Sequence, residues 1–167
     1  MPPNLIITSM EKNDYKEQPG KYTIIAWVGL LTGTLDAVAA ILSAHKMPVV
    51  TVFKFIASGI FGKAAFAGGF EMVAAGIFFH YLIACSITAV LFVLYPMFIS
   101  FLKSKYVVAV VFALIAWVIT HLVIVPLSRI GWSHMDIGGT AISIGILIIT
   151  IGLPIALIAD RYFVSKK

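Results

Sequence analysis

Apolar and polar positions alternate along this chain in long blocks. Four blocks, at about 22–44, 70–98, 106–127 and 137–159, are almost wholly apolar. Each is long enough to cross a hydrocarbon core of about 30 Å, which takes about 20 residues of helix. A strand with an open edge cannot satisfy its backbone in lipid, so each block is read as a helix. The fold class that follows is an all-α integral membrane protein, a four-transmembrane-helix bundle. Its single membrane domain covers residues 22–161, between a polar tail at 1–21 and a short basic tail at 162–167.

The stretch "MPVVTVFKFIASGIFGKAAFAGG" between the first two spans has a different period. Thr51, Lys54 and Ser58 recur at i, i+3 and i+7, with Val50, Phe53, Phe55 and Ile56 at other positions. This pattern predicts an amphipathic helix at about 48–62, lying in the membrane interface. A re-entrant segment is the alternative, with Gly59, Gly62, Gly68 and Gly69 permitting close turns where protein buries them.

Composition strengthens the membrane reading. Of 167 residues, 61% are hydrophobic and 11% charged, against about 45–50% and about 25% in soluble domains. A soluble domain of this size buries only about 70% of its unfolded surface, so much of that apolar excess would meet water. The first 21 residues lack the apolar core of a cleavable signal, and the first apolar run is expected to be retained as a span. Cys85 has no partner in the chain and reads as a small buried hydrophobe.

The net charge of +5 comes from residues scattered at segment ends, without the face or stripe that nucleic acid requires. Topology explains them. Lys12, Lys16, Lys21, Lys103, Lys105, Arg161, Lys166 and Lys167 fall on one side of a four-span protein, and Lys46, Lys54, Lys63 and Arg129 on the other. The excess places both termini in the cytoplasm, in a cell (inner) membrane. The bilayer is the first expected partner, and a chain of 18.1 kDa suits self-association or a larger membrane complex.

Ionisable side chains inside the apolar blocks are the candidate chemistry. If spans two and three form a hairpin, His80 and His121 lie at one depth, each about 20 residues from the turn. Counting at 1.5 Å per residue puts Asp36 about 12 Å inside the same boundary. Small residues flank each of them: Gly29, Thr32, Gly33 and Ala40 around Asp36, Gly76 and Ala84 around His80, and Ala113, Ala116 and Thr120 before His121. Such faces let helices approach closely in lipid. Asp36, His80 and His121 are therefore predicted to form one intramembrane polar layer, with Thr32 and Ser143 at its periphery.

A carboxylate and two imidazoles at one depth suit proton relay or cation binding in a small transporter or channel. The competing reading is structural, in which the three only fix helix packing. Zinc would suit one Asp and two His. Haem fits poorly, because packed hairpin helices lie only about 8–10 Å apart. No cofactor is predicted. Glu71 and Lys63 are expected to pair near the interface, and Pro96 and Pro154 to bend or end their spans. His45, Lys46, His134 and Asp136 fall in loops, and Trp132 suits an interfacial belt. No nucleotide loop, Ser/His/Asp arrangement or HExxH occurs, and no catalysis is assigned.

The stretches "FFHYLIACSITAVLFVLYP" and "VVFALIAWVITHLVIVPLS" resemble the central hairpin of small bacterial inner-membrane proteins of the YagU type. There, a histidine-bearing span ending near a proline precedes a span with a histidine before an apolar-Pro-Leu end. The resemblance covers about residues 75–130 and implies a bacterial cytoplasmic membrane, with no activity attached. The fourth span here lacks the histidine that the pattern would carry.

Overall fold

The computed structural model describes residues 20–44, 47–131 and 136–164. The expectations for His45, Lys46, Trp132, His134 and the terminal lysines at 12, 16, 166 and 167 lie outside the described residues. Among the described residues six helices follow one another: α1 Lys21–Ser43, α2 Val49–Phe61, α3 Ala64–Ala67, α4 Phe70–Leu102, α5 Lys105–Leu127 and α6 Ile137–Val164. Of these, α1, α4, α5 and α6 are long and apolar enough to cross a membrane. The four-span all-α architecture read from the sequence is the observed one.

Two span ends lie further along than predicted. Helix α4 continues over Pro96 to Leu102, and α6 continues to Val164. The fourth span does not end at Pro154, because a wider π-helical turn, Ile148–Gly152, comes just before it. Helix α5 repeats the device, with a π turn at Ile119–Ile124 ahead of Pro126. A proline ring crowds the carbonyl four residues back. Thr150 and Leu122, which carry those carbonyls, both sit inside the widened turns.

Glycine contacts fix the helix pairs. Gly29 on α1 faces Cys85 of α4, and Gly33 faces Tyr81 and Ala84, so α1 and α4 run antiparallel in close contact. Thr32 and Thr88 link hydroxyls across this seam at 2.8 Å. The α4–α5 hairpin reverses at Lys103, which adopts a left-handed φ of 57°. Helix α6 crosses α5 where Gly152 meets the Ala109 carbonyl. The buried core contains an aromatic cluster among aliphatic side chains: Tyr95 packs edge-on to Phe112 and stacks on Phe163, and Phe92 meets Tyr162.

Helix α2 forms where the amphipathic segment was expected, and it is seated against α4. Gly76 lies directly under the Phe53 carbonyl, and the Phe61 and Phe79 rings are 6.3 Å apart. The far end of α2 is tied to the end of α5 by the Arg129 amide, which donates to the Gly59 carbonyl at 2.8 Å. Gly76 is six residues beyond Phe70, or about 9 Å along the axis of α4. Helix α2 therefore lies beside the first turns of a span, with Val49 and Val50 at its start exposed.

The Thr32–Thr88 link yields a small expected effect. Thr88→Val leaves Thr32 bonded to the Val28 carbonyl at 2.9 Å, so the coupling in a Thr32/Thr88 double-mutant cycle should be about 0.6 kcal/mol. Unfolding of the purified protein in mixed micelles measures it.

Candidate functional site

Asp36 from α1, His80 from α4 and His121 from α5 line one cavity of about 640 Å³. Helix α2 closes part of it with Phe55, Ile56 and Ile60, and α6 contributes Ser143, Ile146 and Ile151. The three residues predicted to share a layer thus share a chamber. Helix spacing explains why. Gly33 and Ala84 bring α1 and α4 close enough for His80, itself buried, to reach across to the α1 backbone.

Each imidazole is anchored through one nitrogen. His80 Nε2 lies 2.8 Å from the Gly33 carbonyl, which can only accept, so Nε2 donates and Nδ1 is left to accept or take up a proton. His121 Nδ1 lies 3.3 Å from the Trp117 carbonyl one turn back. By the same argument its Nε2 is the exchangeable nitrogen. Its ring stacks on Trp117 with centroids 5.1 Å apart. Trp117 in turn donates to Ser143 Oγ at 3.0 Å, and Ser143 donates to the Thr140 carbonyl. Ser143 thus belongs to the chamber wall and holds the platform on which His121 rests.

Asp36 is held more loosely. Its Oδ1 accepts from Thr150 Oγ1 at 3.4 Å, while the same hydroxyl also reaches the Ile146 carbonyl at 3.0 Å. The carboxylate lies within electrostatic range of His80 and His121. No imidazole forms an ion pair with it, since Lys105–Asp160 is the ion pair found among the described residues. The trio faces a common space without touching. No group of three His, Cys, Asp or Glu among the described residues is arranged to hold a metal ion.

The other peripheral residues, Thr32, Glu71 and Lys63, fall elsewhere. Thr32 is fully buried in the α1–α4 seam and does not line the chamber. Glu71 accepts from the Gly69 amide at 2.6 Å, capping the start of α4. Its expected partner Lys63 does not pair with it. Lys54 is the nearer cation, with its ammonium 2.5 Å from the Gly68 carbonyl. Gly62, at φ 62°, turns the chain between α2 and α3 and so redirects Lys63.

Two features escaped the sequence reading. Thr150 is the partner of Asp36. A second polar cluster lies at the opposite end of the bundle, where Asp160 accepts from Tyr95 at 2.8 Å and from Lys105 at 3.1 Å, joining α4, α5 and α6. An acidic residue four positions before the end of an apolar helix was its only signal.

Outside the chamber, large apolar side chains are exposed along every span, among them Leu30, Val38, Phe78, Val90, Val110 and Ile149. Such a surface suits lipid contact and not water. The fold and the chamber together define a multi-pass membrane protein with a partly open, largely apolar cavity between its helices that carries a few polar groups. Comparison with family models, with curated proteins and with solved structures returns no match.

Proposed function

We propose that this protein is a small proton- or cation-handling component of membrane transport, in a bacterial inner membrane with both termini in the cytoplasm, and that Asp36, His80 and His121 are its site. The observation that carries this reading is their convergence, from three helices, on one chamber of about 640 Å³. A carboxylate at mid-helix costs about 2.5–3.5 kcal/mol on insertion scales. If Asp36 served packing alone, it would be expected to hold strong hydrogen bonds, and its bond is 3.4 Å long. The imidazoles each keep one nitrogen for proton exchange, and water entering the chamber would complete the relay.

The structural alternative draws on a specific observation as well. The His80–Gly33 bond and the Thr32–Thr88 link both set the α1–α4 register. That role suits His80 and leaves Asp36 and His121 without a packing purpose.

The test is proton flux into liposomes containing the purified full chain, followed with an entrapped pH dye under an imposed potential. Flux should exceed that of empty liposomes and fall several-fold with His121→Gln, which keeps a hydrogen-bonding side chain but carries no exchangeable charge. Flux equal to that of empty liposomes removes the reading.

A further inference from the structure

The chamber also has a chemical bias that proton handling alone does not require. Among the described residues its lining holds one carboxylate, two imidazoles and no lysine or arginine. With Asp36 ionised and the imidazoles neutral, the described lining carries a net negative charge that none of its side chains offsets. The groups facing Asp36 can be named by element. They are His80 on α4 and His121 on α5, whereas α6 offers only the Thr150 hydroxyl, and α2 presents apolar side chains to the cavity.

Apart from the hydroxyls of Ser43, Thr120, Ser128 and Ser143, the rest of the wall is apolar, including the Phe55 and Phe79 rings and Ile87, Ile146 and Leu147. Small-molecule sites typically span about 300–1,000 Å³ with few polar groups on apolar walls. The donors are too dispersed for a bare metal ion. A cation with an apolar body matches both parts: its charge meets the carboxylate, its surface meets the isoleucines, and phenylalanine faces add cation–π attraction.

We propose that the chamber binds a monovalent amphipathic organic cation, such as an alkyl- or aryl-ammonium, in exchange for a proton on Asp36. The proposal rests on the proton-handling reading and supplies its substrate class. One positive charge enters as one leaves: the cation approaches the carboxylate, the O–H bond of the protonated acid breaks, and the proton passes through an imidazole or water to solvent. The chamber's charge stays constant through the exchange, which avoids a net charge in low dielectric.

The experiment is calorimetric titration of the full chain in lipid nanodiscs with tetraphenylphosphonium, with empty nanodiscs subtracted. Tetraphenylborate, of nearly the same shape and opposite charge, is the control. Saturable binding at one site per chain is expected for the phosphonium and none for the borate. Apparent affinity should weaken as pH falls, by up to about tenfold per unit for one-proton competition, and drop at least about tenfold in Asp36→Asn. Ala40→Phe, which fills the chamber one turn from Asp36, should lower affinity similarly and serves if Asp36→Asn fails to fold. Equal binding of borate and phosphonium, or undiminished phosphonium binding by either folded variant, overturns the proposal. Absence of phosphonium binding while Asp36→Asn still abolishes proton flux overturns this inference and leaves the proton reading standing. Flux unaffected by Asp36→Asn overturns both.

Discussion

Asp36→Asn is expected to reduce proton flux to the level of empty liposomes while the protein stays folded and monodisperse. Asparagine has nearly the shape of aspartate and keeps an oxygen to accept from Thr150, so the weak 3.4 Å contact with α6 survives. What it loses is the charge and the transferable proton. Removing a carboxylate at mid-helix also removes a desolvation cost of about 2.5–3.5 kcal/mol. Unfolding of the variant should therefore occur at the same or a higher denaturant concentration than wild type. Lost flux with retained or increased stability is the signature of a group kept for function. Lost stability with unchanged flux would assign Asp36 to packing instead.

Gly152→Val is expected to have the largest effect on the fold. Gly152 closes the π turn of α6 where that helix crosses α5, and any Cβ there would collide with the Ala109 carbonyl and approach the Ala113 methyl at 3.4 Å. The obstacle is backbone, which cannot move aside as a side chain can. Overpacking a close-fitted interior typically costs about 1–3 kcal/mol, and a clash against the main chain should lie at or beyond the upper end. The expected result is a variant that aggregates or unfolds well below wild type in a detergent melt. Gly145, two turns earlier on the same helix, has no atom within 4 Å of a built Cβ. Gly145→Ala should be neutral or stabilising by up to about 1 kcal/mol, through helix propensity. Equal tolerance at both positions would contradict the α5–α6 crossing.

These two predictions rest on features that differ in how legible they were. The four spans could be read because their apolar runs are long and no soluble alternative accommodates them. Their ends could not. Ser100 breaks the hydropathy of α4 but bonds the Met97 carbonyl within the helix and lets it run on. Asp160 looks like an exit to water, yet Tyr95 and Lys105 bond it at the end of the bundle and the helix runs on to Val164. The polar layer was legible from depth alone, since hairpin geometry fixes how far each residue lies from a turn. Which side chains meet across it depends on rotation, and rotation was disturbed by the π turns. Depth offered Ser143 on span four, whereas Thr150, which meets Asp36, sits in the π turn, where an inserted residue shifts the helical phase. The Lys63–Glu71 pair failed for a different reason, since the positive-φ turn at Gly62 redirects the chain just before Lys63, and Lys54 is the cation near Glu71.

The central claim is that Asp36 and His121 face one chamber rather than lipid or separate packing contacts. Cysteine accessibility tests it most directly. In a Cys85→Ala background, the substitutions Asp36→Cys, His121→Cys and Ser143→Cys are each made singly, with Leu35→Cys as the outward-facing neighbour of Asp36. Each protein is then exposed in liposomes to a membrane-impermeant cationic methanethiosulfonate. The account expects modification at 36, 121 and 143 to be much faster than at 35, and slowed by tetraphenylphosphonium at 121 and 143, where the Asp36 carboxylate is retained. Reaction at 36 or 121 no faster than at 35 would contradict the shared chamber.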